Sequence, residues 1–342
     1  MKPLITTVIP TFKRPLLLKR AIDSVLKQSY ENIEICIYDN DSQDETYSIV
    51  EEFIKKDDRV KYFCHPYNIG GLNNFLHGMS RVQGNYFSML SDDDYLLPDF
   101  YQQAVSSLEK NTNAIFWAGI TLEIDSNNNI WNSRVARWEN EGVFYPPKGF
   151  FLMTNGMSPI WTGILFRRSA LELLGYIDVK TLGPSDLDYC LRLAAQYPYV
   201  IEKHPAAVFF LNSQSFSATQ PMSSFWPGWL RMIEKFSQND LLEIEFRNEA
   251  TKTLWKDAEK MLFRRGANAL AVGRFDFVDD AAQALLIDCN KKFKASILII
   301  LNKICKSIPL LQRVYSMLYR YAESKIVESR KELQQQYGHL LK

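Results

Sequence analysis

Gly84-Asn85-Tyr86-Phe87-Ser88-Met89-Leu90-Ser91-Asp92-Asp93-Asp94 is an apolar run that ends in three consecutive acids. Tyr86 to Leu90 reads as a buried strand. Three like charges where such a strand ends repel one another unless a cation joins them. Hard divalent ions such as Mg²⁺ or Mn²⁺ take carboxylate oxygens and bridge to substrate phosphates. The stretch therefore reads as a metal-diphosphate site at a strand's carboxyl end, with a solvated acidic turn as the alternative.

Upstream, strands and helices alternate. Leu4 to Ile9 is β-branched and continuous, as a buried parallel strand should be, and Pro10 to Pro15 is a turn. Leu16 to Gln28 carries a helical stripe, Ile33 to Tyr38 is a second strand, and Asp39 to Asp44 is a polar turn that caps a helix over about 45–56. A short strand at Val60 to Cys64, a turn at Asn68 to Gly71 and a helix to Gln83 lead into the aspartate strand. Beyond it come a helix over 98–110 and a strand over 114–124. This order predicts a mostly parallel, doubly wound sheet with helices on both faces. Ligands of such sheets lie beyond the strand carboxyl ends, where Asp39 and Asp92 to Asp94 stand.

The 342 residues suffice for one large domain and an appendage. A net charge of +1 supplies no global field for nucleic acid. Five scattered cysteines without a CxxC pattern, and no signal peptide, fit a reduced cytoplasmic protein. The apolar stretch Ile297 to Leu301 is too short to span a bilayer. Asn212 to Gly228, rich in Ser, Pro and Gln, reads as a loop. After it the pattern is helical throughout, so the expected domains are 1–215 and 216–342, joined by a flexible segment near 212–228.

The blocks together resemble the family-2 glycosyltransferases, which have the GT-A fold. Thr7-Val8-Ile9-Pro10-Thr11-Phe12-Lys13-Arg14 resembles their opening strand and turn. Ser24 to Tyr30 followed by Ile33 to Asn40 resembles the second block, and Asn68-Ile69-Gly70-Gly71 through Asn74, then Gly84-Asn85-Tyr86, resembles the third. Ser91 to Asp94 with Pro98-Asp99 resembles the DxD metal motif and the helix after it. Gly163 to Arg168 and Asp186 to Arg192 resemble the acceptor-side blocks. The match runs from about residue 4 to 215, and the strength lies in the order of the blocks.

The resemblance implies a nucleoside diphosphate sugar donor, UDP-linked, with Pro10, Thr11, Arg14, Asp39, Asn40, Asn68, Asn74 and Asp92 around it. Asp39 would accept hydrogen bonds from the base. Asn40 stands where a second acid or amide is usual. Alignment on Pro98-Asp99 puts Asp93 at the second acid of the DxD, while Asp92 and Asp94 form a literal DxD, so the register stays open by one residue. Asp93 is the favoured ligand of Mn²⁺ or Mg²⁺, with Asp94 beside it. The family's diphosphate-side His has no match in Asn212 to Ser215, which leaves water and phosphate to complete the metal shell.

Asp186 matches the catalytic acid of the inverting members, with Ser185 in place of the acid before it. It would act as general base while an acceptor hydroxyl attacks the anomeric carbon from the opposite face. A helix N-terminus lowers its pKa and nearby anions raise it, and the sequence leaves that balance open. Trp161 and Arg192 are acceptor-side candidates, and Trp117, Trp131, Trp138 and Tyr145 are further surfaces on which a sugar could stack. Each aromatic has core packing as its alternative, and Arg192 has an i,i+4 pair with Asp188 as its alternative.

From Lys291 to Arg320, basic residues interleave with apolar ones. Two fates fit: peripheral contact with an anionic membrane at the inner face of the plasma membrane, or packing on the catalytic domain or a second subunit as a homo-oligomer. The acceptor expected is a hydroxyl of a surface polysaccharide or lipid-linked glycan. The competing functions are a nucleotidyltransferase, disfavoured because Pro10 to Pro15 has no glycine, and a degenerate glycan-binding or scaffold protein.

Overall fold

The computed structural model describes residues 2–211, 221–328 and 330–341. The chain divides into two units: Met1–Val179 with Ser185–Asn212 and Tyr337–Lys342, and Lys180–Pro184 with Ser213–Gln336.

The first unit opens with β1 (Ile5–Thr11), α1 (Pro15–Leu26), β2 (Ile33–Asp39), α2 (Thr46–Ile54), β3 (Val60–Cys64), α3 (Gly71–Met79) and β4 (Tyr86–Met89). There follow β5 (Tyr95–Leu96), α4 (Phe100–Lys110), β6 (Phe116–Ile124), β7 (Ile130–Asn132), β8 (Gly142–Phe144) and α5 (Lys148–Met153). It closes with β9 (Ile164–Arg167), α6 (Ser169–Leu174), α7 (Ser185–Ala194) and β10 (Tyr199–Phe210). The sheet runs β3-β2-β1-β4-β9-β6-β10-β5, with β7 on β6 and β8 on β10. β3, β2, β1 and β4 are parallel, β9 runs antiparallel to β4 and β6, and β10 is parallel to β6. This is the mixed, mostly parallel sheet expected from the alternating pattern.

Both faces of β1 and β2 are covered, and every residue of each is buried. That burial explains their mainly apolar, β-branched reading. The polar exceptions are paired: Thr6 Oγ1 donates to Glu34 Oε1 (2.5 Å), and Thr7 Oγ1 lies 2.7 Å from Tyr101 Oη. Pro10 has a positional role. The β1–β4 register ends at Val8–Met89, and Leu90 N donates to Val8 O. Pro10 has no N–H to continue that ladder. β4 is released there and turns into the aspartates, while β1 stays paired with β2 to Thr11–Asp39.

The second unit holds α8 (Met222–Ser237), α9 (Ile244–Ala271), α10 (Phe275–Ile287), α11 (Lys292–Ser307) and α12 (Pro309–Glu328); α13 (Lys331–Tyr337) follows. The loop expected over 212–228 lies outside the described residues at 212–220, and from Met222 the chain is helical instead. Burial explains the difference: Met222, Phe225, Trp226, Trp229, Met232, Ile233 and Phe236 form one buried stripe, strong enough to override Pro227 and Gly228. Gly228 is required by proximity, since a Cβ there would lie 1.9 Å from the Thr181 carbonyl oxygen. Along α9 the buried positions Ala250, Leu254, Ala258, Leu262 and Gly266 recur every four residues and face the neighbouring helices.

Candidate active site

The site grows from the carboxyl ends of β1, β2 and β4. Thr11 and Asp39 are partners in the β1–β2 register. Asp39 is buried, and its Oδ1 accepts from the Ser42 amide (3.0 Å) and Ser42 Oγ (2.6 Å), while Oδ2 accepts from Tyr62 Oη (2.5 Å). Burial and this bond to Asp39 raise the Tyr62 pKa, keeping it a donor. Each carboxylate oxygen has two lone pairs, so Asp39 keeps acceptor capacity.

Asn40 and Asn68 form one unit. Asn40 Nδ2 donates to Asn68 Oδ1 (2.9 Å), and Asn40 Oδ1 accepts from Ile69 N (2.8 Å). Asn68 Oδ1 also accepts from Gly70 N, where a φ of 85° suits glycine. Asn74 lies buried behind this turn. It donates to the Tyr38 carbonyl (2.8 Å), and its Oδ1 lies 2.9 Å from His65 Nε2. Asn74, expected against the donor, thus spends its amide on the end of β2 and on His65.

The three aspartates have three environments. Asp92 is buried and anchors the turn after β1: its Oδ2 accepts from Thr11 Oγ1 (2.7 Å) and the Phe12 amide (3.3 Å), and its Oδ1 from Arg14 Nη1 (3.0 Å). Burial pushes its pKa up to about 6 against the pull of Arg14. Asp93 accepts from the same Arg14 nitrogen through Oδ2 (2.8 Å), and Arg20 Nη2 holds its main-chain carbonyl (2.5 Å). Among the described residues no donor meets Asp93 Oδ1. Asp94 is fully buried, with Oδ2 accepting from Thr162 Oγ1 (2.6 Å) and Oδ1 from the Phe210 amide (3.0 Å). Burial, with Asp93 beside it, pushes its pKa up to about 8.

Asp94, expected beside Asp93 on the metal, is thus a structural brace between β4, the turn before β9 and the end of β10. Among the described residues no three Asp, Glu, His or Cys side chains converge to hold a metal. The donor set fits a hard divalent ion only as a single carboxylate, Asp93, with substrate phosphates and water completing the shell; Mg²⁺ is commonly held in this way.

Asp186 stands in the first turn of α7, and its Oδ1 accepts from the Leu187 amide (2.7 Å). The side chain is accessible to solvent yet crowded by protein. That desolvation raises its pKa despite the Leu187 amide and the Arg134 charge. Trp161 and Thr162 connect the two halves of the site, since Thr162 holds Asp94 and Trp161 Nε1 donates to Cys190 Sγ (3.1 Å) on α7.

The structure gives both acceptor-side candidates partners within the chain. Trp161 is buried, edge-on to Phe166 and Tyr189, and offers no free face for a sugar. Arg192 Nε donates to the buried Asp188 (3.0 Å), and its two terminal nitrogens donate to the carbonyls of Leu174 and Tyr176. It staples α7 to the end of α6. Arg192→Ala removes this ion pair and both carbonyl bonds, so a urea melt should show a lower midpoint than wild type. Nucleotide affinity should hold at temperatures where the variant is folded. Trp117 and Trp138 are also core residues, with Trp117 Nε1 donating to Glu202 (2.9 Å). Tyr145 is exposed, and Trp131 is partly exposed.

Sequence reasoning missed Arg20, Tyr62 and Thr162. Arg20 stacks over Phe210 (4.2 Å) and Tyr95 (5.0 Å) while it holds Asp93. Its only sequence signal is a charge on α1 near Arg14. Thr162 has none, because its partner Asp94 is distant in the chain.

A parallel half-sheet with acids beyond its strand ends, joined to an antiparallel continuation, places the chain in the GT-A class of α/β folds. The Glycosyl transferase family 2 model matches residues 6–175. An uncharacterized glycosyltransferase of Rickettsia typhi, RT0329, is 30% identical over 245 residues, covering 68% of this chain and 73% of that protein. The chain belongs to glycosyltransferase family 2. The GalNAc(5)-diNAcBac-PP-undecaprenol beta-1,3-glucosyltransferase of Campylobacter jejuni is 37% identical over 112 residues, 32% of this chain and only 35% of that protein's length. Staphylococcus aureus TarS 1–349, solved with UDP-GlcNAc, shares the fold with a TM-score of 0.65 at 13% identity, covering 93% of this chain and 92% of TarS 1–349. The mannosyltransferase PcManGT of Pyrobaculum calidifontis, solved with GDP-Man and Mn²⁺, has a TM-score of 0.52 at 14% identity, covering 96% of this chain and 87% of that one.

Proposed function

We propose that this chain transfers a sugar from a UDP-linked donor to a hydroxyl of a surface polysaccharide or lipid-linked glycan, by single displacement with inversion. The observation that carries this reading is the continuous edge Asp39–Thr11–Asp92–Asp93, tied by the β1–β2 register, the Thr11–Asp92 bond and the Arg14 bridge. Asp39 keeps acceptor capacity at one end of it, and Asp93 Oδ1 meets no donor among the described residues at the other. The undecaprenol-linked name of the Campylobacter relative and the UDP-GlcNAc bound to TarS support the substrate classes.

Asp39 takes the hydrogen bond from the base. Asn40 and Asn68 are committed to each other and shape the turn beside it. Asp92, itself held by Thr11, and Asp93 bond Arg14 and place its guanidinium for the diphosphate. Asp93 holds Mn²⁺ or Mg²⁺, which when bound neutralises charge on the leaving diphosphate. Asp186 accepts the proton of the attacking acceptor hydroxyl, and its raised pKa makes it a stronger base than an ordinary aspartate.

Thermal melting with UDP, GDP, dTDP and CDP, each with Mn²⁺ and with EDTA, tests the donor site. A ligand at about a hundred times its dissociation constant adds about 2.7 kcal/mol, readable as a rise in Tm. The expected result is a Mn²⁺-dependent rise with UDP. No response to any of the four overturns the reading in favour of a glycan-binding or scaffold protein.

A further inference from the structure

Amphipathic helices of a folded unit normally turn their apolar side inward. α12 does the reverse. Its inward positions are Gln312, Tyr315, Ser316 and Tyr319; Gln312 Nε2 donates to the Ala271 carbonyl (3.2 Å) and Tyr315 Oη to the Ala267 carbonyl (3.2 Å), both on α9. Leu310, Met317, Leu318 and Tyr321 point to solvent and recur at helical spacing along one side. α11 adds Phe293 and Ile300, opposite its buried Ala295, Leu298 and Cys305. These six exposed side chains range from 56% (Ile300) to 79% (Phe293) accessible. Large apolar groups exposed at helical spacing along one side of a helix mark a docking surface.

Charge selects the occupant. Between Asp288 and Glu323 the chain has no acid and seven basic residues. Lys291 and Lys294 are tied to Glu259, while Lys303, Arg313 and Arg320 are exposed on the same two helices as the apolar stripe. A second copy of this face would oppose positive charge to positive charge and gain no counter-charge. An anionic bilayer offers an apolar interior beneath a negative surface, which matches both features at once. Among the described residues no helix is long and apolar enough to cross a membrane, so the contact lies in the interface plane.

We propose that α11 and α12 dock on an anionic membrane surface, with Phe293, Ile300, Leu310, Met317, Leu318 and Tyr321 entering the headgroup–acyl boundary and Lys303, Arg313 and Arg320 facing lipid phosphates. The proposal stands on this surface alone, so its failure leaves the sugar-transfer reading to be judged by its own nucleotide titration.

Co-sedimentation of the full chain with vesicles of phosphatidylcholine, and of equimolar phosphatidylcholine and phosphatidylglycerol, tests it. Binding to the anionic vesicles should exceed binding to the neutral ones by more than about tenfold and should weaken with added salt. Leu310→Asp with Met317→Asp should lower binding about tenfold or more at unchanged Tm, because both side chains are already in water. Lys303→Glu, Arg313→Glu and Arg320→Glu combined should abolish the lipid preference, since each basic residue at such a surface contributes roughly fivefold. Equal, weak sedimentation with both vesicles overturns the proposal. So does a discrete oligomer in light scattering that the Leu310→Asp, Met317→Asp variant converts to monomer, which would make this face a contact between copies.

Discussion

Asp186→Asn should leave nucleotide affinity unchanged and lower kcat by about 10²–10⁴-fold, the usual contribution of a positioned general base. The amide keeps the size of the carboxylate and can still accept the Leu187 N–H bond at the start of α7. What it loses is a site for the acceptor's proton. A matched pair of measurements, donor Kd by calorimetry and kcat by product formation, separates the two roles. Near-normal turnover would remove Asp186 from the chemistry. The pH profile adds a sign. The base works only when ionised, so kcat rises as pH climbs through its pKa. Desolvation has raised that pKa, so the acid limb of the wild-type profile should lie above the range of a solvated aspartate.

Asp93→Ala should erase the Mn²⁺-dependent part of nucleotide binding, weakening UDP roughly a hundredfold in the presence of Mn²⁺, the equivalent of about 2.7 kcal/mol. In EDTA, wild type and variant should bind alike. The fold should survive, because Arg14 keeps its bond to Asp92, and Asp92 keeps Thr11 and the Phe12 amide. Equal affinity of wild type with Mn²⁺ and with EDTA would dismiss the metal role. The same substitution at Asp94 is a poor probe of metal binding, since it strands the Thr162 hydroxyl and the Phe210 amide and reports on stability.

The sheet was legible because its signals are local. Short, mainly apolar and β-branched or aromatic runs at 4–9, 33–38 and 86–90 announce buried parallel strands, and helical stripes between them announce crossovers. The family was legible because motif order is also written along the chain. Parts of the loop reading at 212–228 failed because Pro, Gly and Ser outweighed an apolar stripe whose value appears only once Trp226 and Trp229 are buried.

The three aspartates draw the line between the two kinds of information. Sequence alone determined that acids stand at the end of β4 and which family they belong to, since strand pattern and motif spacing need no partners. Only the tertiary structure decided that Asp92 braces the first turn, that Asp94 is sealed inside and that Asp93 keeps an open oxygen. The donors that make this choice, Thr11, Thr162 and Phe210, lie 81, 68 and 116 residues from their acceptors. The same holds for Trp161, drawn into the core by Cys190, and for α12, whose outward face is set by where its polar side meets α9. A side chain's availability depends on what packs against it, and those contacts are fixed when distant segments meet.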